Sequence, residues 1–405
     1  MMEASPSGPG RVLMVAYTNY RTDPRVIRQA EAAVRAGYEV DFIALRRDDD
    51  PPEEVIRGVR VIHVNQLRYR GRGRMRYLLA YAEFFVRCAA LATKLQLQRQ
   101  YAVVHVNNMP DALIFAALGP KLLGARLVLD IHDPMPNVFA SKYASADGGW
   151  LFRVLVWQER ASAWLADAVL TISEPVKRQL LVDQHGLDPQ RITVIANFAD
   201  DRLFAYRPQP ALGRPIRMVF HGTILERYGL RSAMHAISKV RDRNAIRLTL
   251  IGEGDFADTL ERLIVELAIG DIVTFEHRMY PLHEMPARLS GFDLGFAPTE
   301  RSSVIDFALP IKLLEYTSLG MPTIAVRNTA IAHYFGENDC LYYDATSPES
   351  LTALLDRIAV EPEIVYACAR RVAEIRPRLV WSSQGEMYVQ LLAQLSGAPQ
   401  PRQAG

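Results

Sequence analysis

The chain has 405 residues, 49% hydrophobic and 23% charged, with a formal net charge of +2. That length exceeds what one hydrophobic core organises, roughly 250 to 300 residues, so two domains are expected, and the apolar content excludes a disordered chain. The balanced charge argues against a nucleic-acid binder, which calls for a strongly basic domain or aromatics interleaved along a basic groove. Residues 1–10, MMEASPSGPG, lack the basic start and apolar run of a signal peptide and read as a disordered leader. RVLMVAY is then a strand, PRVIRQAEAAVRAG a helix stopped by Gly37, and YEVDFIAL a second strand. In RRDDDP, Asp48 and Asp50 imitate a DxD metal motif, but the prolines that follow predict a solvated loop.

After the strand VRVIHVN comes QLRYRGRGRMRYLLAYAEFF, with Arg68, Arg70, Arg72, Arg74 and Arg76 on alternate positions. Gly71 and Gly73 oppose a helix there, and a strand would stack five like charges on one face, so a loop is predicted. The helix expected from Tyr77 is apolar on nearly every side, yet Glu83 and Arg87 leave it short of the roughly 20 apolar residues of a membrane span. The pairing of the two suggests a loop that meets anionic lipid headgroups or a polyprenyl diphosphate. Next come the strand YAVVHVNN with His105, a helix from Ala112 to Leu123, and the strand ARLVLDIHD. Asp130, His132 and Asp133 are possible metal ligands, but no second cluster supports them and no metal is expected.

A second series of strands begins at PIRMVFHG and continues through IRLTLIGEG, DIVTFEH, FDLGFAP, MPTIAV and CLYY. Strands separated by helices in this rhythm predict two doubly wound α/β domains, at 11–200 and 213–380, joined by the proline-rich passage near 198–212. A helix over 381–396 and a disordered tail at 397–405 close the chain. Ligands of such sheets bind beyond the carboxyl ends of the strands, so a cleft between the domains is expected to hold the site. Cys88, Cys340 and Cys368 stand far apart with no CxxC pair, which suggests neither a disulfide framework nor a thiolate zinc site and fits a reducing cytoplasm.

The segment DFALPIKLLEYTSLGMPTIAV carries the most chemistry. Pro310 suits the first turn of a helix, whose free N–H groups near Ile311 and Lys312 favour an anion. A lysine at that end is unfavourable unless an anion sits there, so a phosphate is suggested, and Glu315 on the same face can accept hydrogen bonds from sugar hydroxyls.

LPIKLLEYTSLGMP resembles the nucleotide-sugar motif of family 4 retaining glycosyltransferases with the GT-B fold (glycosyltransferase group 1 type), in the variant LPxKLxEYxxxGxP. TDPRV, DIHDPMPN, LTISEPVKRQL, NFADDRLF, HGTILERYGL, LIGEG and VWSSQGEMY fall in the family's order, so the resemblance spans nearly the whole chain. It implies two Rossmann-like domains with a C-terminal helix returning to the first, a nucleoside diphosphate sugar donor, a lipid-linked or glycan acceptor, and no cofactor. Glu315 is implied at the ribose, Lys312 and Arg227 at the diphosphate, and His132 at the transferred sugar. Gly222, Thr223, Gly252, Leu309, Pro310 and Ile311 are implied around the donor, with His277 and Arg278 at the base. Two departures stand out. Phe307, preceded by Asp306, replaces the first glutamate of the E-x7-E pair, and Thr223 and Tyr228 occupy the two cationic positions of the GRxxxxKG loop.

A dehydrogenase would need G-x-G-x-x-G after the first strand, whereas VAYTNYRTDPRV has no glycine and GEG at Gly252 lacks the third. A nucleotide-sugar 2-epimerase of the same architecture and a non-catalytic partner subunit of the same fold are the alternatives.

Overall fold

A computed structural model describes residues 9–47, 49–66, 74–142, 149–208, 212–300 and 305–399. Two compact units emerge. One runs to Ala196 and resumes at Gln384; the other is Asn197–Ser383.

The first unit is built on β1 (Arg11–Ala16), β2 (Glu39–Leu45), β3 (Glu53–Ile56), β4 (Val59–Val64), β5 (Val103–Asn107), β6 (Arg126–Ile131), β7 (Ala168–Thr171) and β8 (Ile192–Val194), in the order β3-β4-β2-β1-β5-β6-β7-β8. Neighbouring strands are parallel except β3 against β4. The central strands β1, β5 and β6 are buried on both faces, which is why they read as unbroken apolar runs. Gly37 turns the chain out of the helix Pro24–Arg35 with φ of 90°, and Tyr38 N–H bonds back to Ala33 O at 3.1 Å.

Three expectations need correction. Arg74 and Arg76 belong to the helix Arg74–Arg99, which starts ahead of Tyr77, and Arg68, Arg70 and Arg72 lie outside the described residues. That helix buries one face through Phe84, Cys88, Ala92 and Leu95, and Leu79, Val86 and Leu97 are exposed, so apolar residues do lie on both sides of it as the sequence indicates. Asp50 is buried instead of solvated: it accepts from Arg47 N at 2.8 Å and Asn19 Nδ2 at 3.1 Å, folding the connection to the β3–β4 hairpin inward. Asp48 lies outside the described residues. The segment after β5 is a 3-10 turn, Asp111–Ala117, followed by a short helix, Leu118–Leu122.

The second unit carries β9 (Ile216–His221), β10 (Ile246–Ile251), β11 (Val273–Glu276), β12 (Leu294–Ala297), β13 (Thr323–Val326) and β14 (Leu341–Tyr343), all parallel, in the order β11-β10-β9-β12-β13-β14. Met218, Phe220, Leu248, Leu250, Phe296 and Ile324 form its core with residues of the helices Leu230–Ile237 and Ala257–Glu266. Each unit is thus a Rossmann-like, doubly wound α/β domain. The last helix, Trp381–Ser396, starts among the residues of the second unit and joins the first from Gln384. There Gln384 Oε1 accepts Ala196 N at 2.7 Å, and the fully buried Tyr388 places its hydroxyl 2.7 Å from His105 Nδ1. Among the described residues no helix is long and apolar enough to cross a membrane, and the three cysteines are free and buried.

Candidate functional site

In the second unit several of the residues singled out in the sequence lie near the carboxyl ends of parallel strands. Pro310 precedes the helix Ile311–Leu319 and its carbonyl accepts Leu313 N at 3.0 Å and Leu314 N at 3.4 Å. The N–H groups of Ile311 and Lys312 lie ahead of that first turn, where helix geometry supplies no acceptor. Lys312 Nζ lies 4.4 Å from the ring centres of both Phe220 and Tyr228. Burial pushes the Lys312 ammonium down to about 8, with Glu315 opposing the shift.

Glu315, one turn on, is buried, and its Oε2 lies 3.1 Å from His221 Nε2, the side chain at the end of β9. His221 in turn meets the edge of Tyr316, whose hydroxyl donates to Val219 O at 2.9 Å. Arg227 is exposed and sits 5.5 Å from the Tyr228 ring centre, so Arg227 and Lys312 address one ring. Thr223 is exposed beside it.

Gly222 and Gly252 are bound by their role in the turns after β9 and β10. Gly222 N donates to Ile251 O at 2.9 Å, and Ile224 N donates to Glu253 O at 2.8 Å, which sews the two turns together. His277 and Arg278 follow β11. The His277 side chain is drawn to Glu261 at 3.0 Å and stacks on Phe275, while Arg278 lies 5.0 Å from the Tyr280 ring centre. Asp306 does not offer a free carboxylate in place of the missing glutamate, because Thr329 donates to it from both its amide and its hydroxyl. Leu309 is partly buried and Ile311 exposed.

In the first unit, His132 follows β6 at the centre of the sheet and is buried. Its Nε2 lies 3.2 Å from Asp130 Oδ2 and 3.4 Å from Asn107 Oδ1, and its amide donates to Asn108 Oδ1 at 3.0 Å. Nδ1 of His132 has no partner among the described residues. The same Asp130 oxygen receives Gln29 Nε2 at 2.6 Å and lies 3.4 Å from His105 Nε2, so residues 29, 105 and 132 converge on one carboxylate. Burial alone would raise the Asp130 pKa, but the neighbouring His132 and His105 hold it well below the usual carboxylate range. Asp133 is turned outward, 3.8 Å from Arg25, so Asp130, His132 and Asp133 do not converge on one point. His105 is a buried structural residue.

Sequence reasoning missed His221, the Phe220 and Tyr228 rings, Gln29 and Tyr388. The one available signal was the polar end of the otherwise apolar run MVFHG.

Two family models match the chain: a glycosyl transferase 4-like domain over residues 23–197 and glycosyl transferases group 1 over residues 215–359. A glycosyltransferase assigned to colanic acid biosynthesis in Salmonella typhimurium is 26% identical over 148 residues, 36% of each chain. The MMP alpha-(1->4)-mannosyltransferase of Mycolicibacterium hassiacum is 26% identical over 272 residues, 65% of this chain and 62% of that one. The chain thus spans less than two thirds of the length of these relatives. Among solved structures, the sucrose-phosphate synthase of Thermosynechococcus elongatus superposes with a TM-score of 0.75 at 18% identity, covering 96% of this chain and 99% of that one. Anabaena HepE in complex with UDP and glucose superposes with a TM-score of 0.67 at 13% identity, over 95% of this chain and all of that one. With matched models in both units and this fold in each, the chain belongs to the family 4, group 1 glycosyltransferases of the GT-B fold.

Proposed function

We propose that the protein moves a hexosyl group from a nucleoside diphosphate sugar to a glycan or lipid-linked acceptor, with retention, in bacterial polysaccharide or glycoconjugate synthesis. The observation that carries this reading is the helix start at Ile311, where free N–H groups, the Lys312 ammonium and the buried Glu315 occur together at strand ends. Transfer builds negative charge on the departing diphosphate, and oriented donors in a site shielded from water stabilise it by about 3 to 4 kcal/mol each. Lys312, Arg227 and the helix N-terminus do this, while Glu315 holds the ribose and the turns at Gly222, Thr223, Gly252 and Leu309 to Ile311 surround the donor. His277 and Arg278 serve the base mainly through their backbone, since their side chains are engaged elsewhere. His132 serves the transferred sugar. No protein nucleophile is assigned; the leaving phosphate takes the acceptor's proton. No metal takes part, so EDTA leaves turnover unchanged. The solved relatives include HepE with UDP-glucose and a trehalose-6-phosphate enzyme with UDP-2-fluoro glucose, which support a donor of this class. The protein works in the cytoplasm, at the membrane face where lipid-linked acceptors are found, as a peripheral protein.

A thermal-shift panel of UDP, GDP, ADP and their sugars tests the reading, because a ligand of the folded state alone raises stability by mass action. At least one nucleotide should raise the melting temperature, and Glu315→Ala and Lys312→Ala should each abolish the rise while keeping the fold. A panel with no shift overturns the donor site. Turnover of the bound sugar nucleotide without any acceptor would place the protein with the 2-epimerases.

A further inference from the structure

Three of the chain's four tryptophans lie on one helix, Trp150–Leu165, and face solvent: Trp150, Trp157 and Trp164 are 76%, 70% and 77% exposed. Val154, 46% exposed, lies between the first two, and steps of four, three and seven residues place all four on one stripe. The opposite face holds the helix to the first unit through Val156, Glu159, Ser162 and Ala163, all buried, and Glu159 is tied to His185 Nδ1 at 2.6 Å. A stripe of large aromatics is a costly surface to leave in water, and soluble surfaces seldom carry one without a binding role.

Charge decides what covers it. The other exposed residues of the helix are Arg153 and Arg160, the latter steadied by a hydrogen bond from its Nε to His185 O, and the helix's one acid, Glu159, is buried. A second copy packed two-fold about Trp157 would set Arg153 across from Arg160 of the other copy, like charge against like, with no acid on the face to offset it. Indole rings favour the headgroup level of a bilayer, and arginine guanidinium groups reach its phosphates.

We propose that this Trp/Arg stripe seats the first unit on an anionic lipid surface, the three indoles at headgroup depth and Arg153 and Arg160 on lipid phosphates. The proposal deepens the membrane part of the function above and takes only its purpose, delivery of a lipid-linked acceptor, from that reading.

The full-length protein is mixed with vesicles of phosphatidylcholine alone or with one third phosphatidylglycerol, and sedimentation and tryptophan emission are read. Binding should require the anionic lipid, fall with salt, shift the emission to the blue and be quenched by brominated lipid, since Trp381 is buried and three of four tryptophans report. Trp150→Ser with Trp157→Ser and Trp164→Ser, and separately Arg153→Gln with Arg160→Gln, should each lower the vesicle partition by about tenfold or more. Nucleotide affinity should not change in either variant, so loss of vesicle binding and failure of the donor site are distinguishable. Brominated-lipid quenching in the wild type needs no variant and guards against misfolding of either. Equal binding to neutral vesicles, no quenching, or undiminished binding by the Trp variant overturns the proposal. So does a wild-type dimer, seen by sedimentation velocity, that the Trp variant dissolves.

Discussion

Lys312 is a cation whose surroundings oppose its charge. Two aromatic rings attract the ammonium, yet burial outweighs them and brings its pKa down to about 8. A diphosphate binds the charged form, so above that pH binding must take up a proton. Nucleotide affinity should therefore be level from pH 6.5 to 7.5 and fall by about tenfold per unit well above pH 8, read by titration calorimetry in two buffers of different ionisation heat. Lys312→Met should bind more weakly at pH 7 and lose the alkaline slope; a variant that keeps the slope would move the titrating group elsewhere. The contact of His221 Nε2 with Glu315 Oε2 at 3.1 Å helps set where that carboxylate points.

Between elements, the helix Trp150–Leu165 meets the turn Asp111–Ala117 through two buried carboxyls. Asp111 Oδ1 accepts Asn108 Nδ2 at 2.9 Å, while Asp111 Oδ2 and Glu159 Oε2 have no partner among the described residues. Burial first, and then Glu159, pushes the Asp111 carboxyl up to about 8. Because the folded value lies above the unfolded one, near 3.9, this group's contribution is fully present below about pH 4 and is lost as pH rises to 8. Asp111→Asn should flatten the decline in urea midpoint between pH 5 and pH 8, and an unchanged pH profile would remove Asp111 as its source. The turns after β9 and β10 set a different limit. A Cβ on Gly252 would lie 1.9 Å from the Gly222 carbonyl oxygen, and backbone cannot give way as a side-chain end can. Gly252→Ala should cost about 2 kcal/mol or more in denaturant unfolding and weaken nucleotide binding. A variant with wild-type stability would show that the two turns can separate.

Across the whole molecule, the chain leaves the first unit at Ala196, builds the second, and returns at Gln384. The return is fastened at Tyr388, whose hydroxyl meets His105, which in turn lies 3.4 Å from Asp130. Tyr388→Phe removes that hydroxyl from a fully buried site and should destabilise the first unit by about 1 to 2 kcal/mol. Hydrogen exchange read by mass spectrometry should quicken at β1, β5 and β6 and stay unchanged at β9 and β10. Equal quickening in both sheets, or none, would contradict a fastening confined to the first.

Most of the strands (though not β3, β7 or β8), the two-domain plan and the Lys312 and Glu315 pair were legible in the sequence because each depends on neighbours within a few residues. Parallel strands buried on both faces must be apolar throughout, helix stops need a glycine such as Gly37, and a lysine and glutamate three apart share a helix face. Asp130 shows where that reading ends: its oxygen collects Gln29, His105 and His132 from three separate segments, and only the register of β5 beside β6, with the helix Pro24–Arg35 laid across, brings them together. Asp50 and Arg74 misled for the same reason, since burial and helix extent there were decided by packing and not by local propensity. The tryptophans on Trp150–Leu165 make the point most plainly. The sequence by itself does not say which face of that helix is covered; tertiary structure turns Glu159 inward to His185 and leaves the indoles outside, because a helix can bury only one face and the partner for the buried acid lay on the other side.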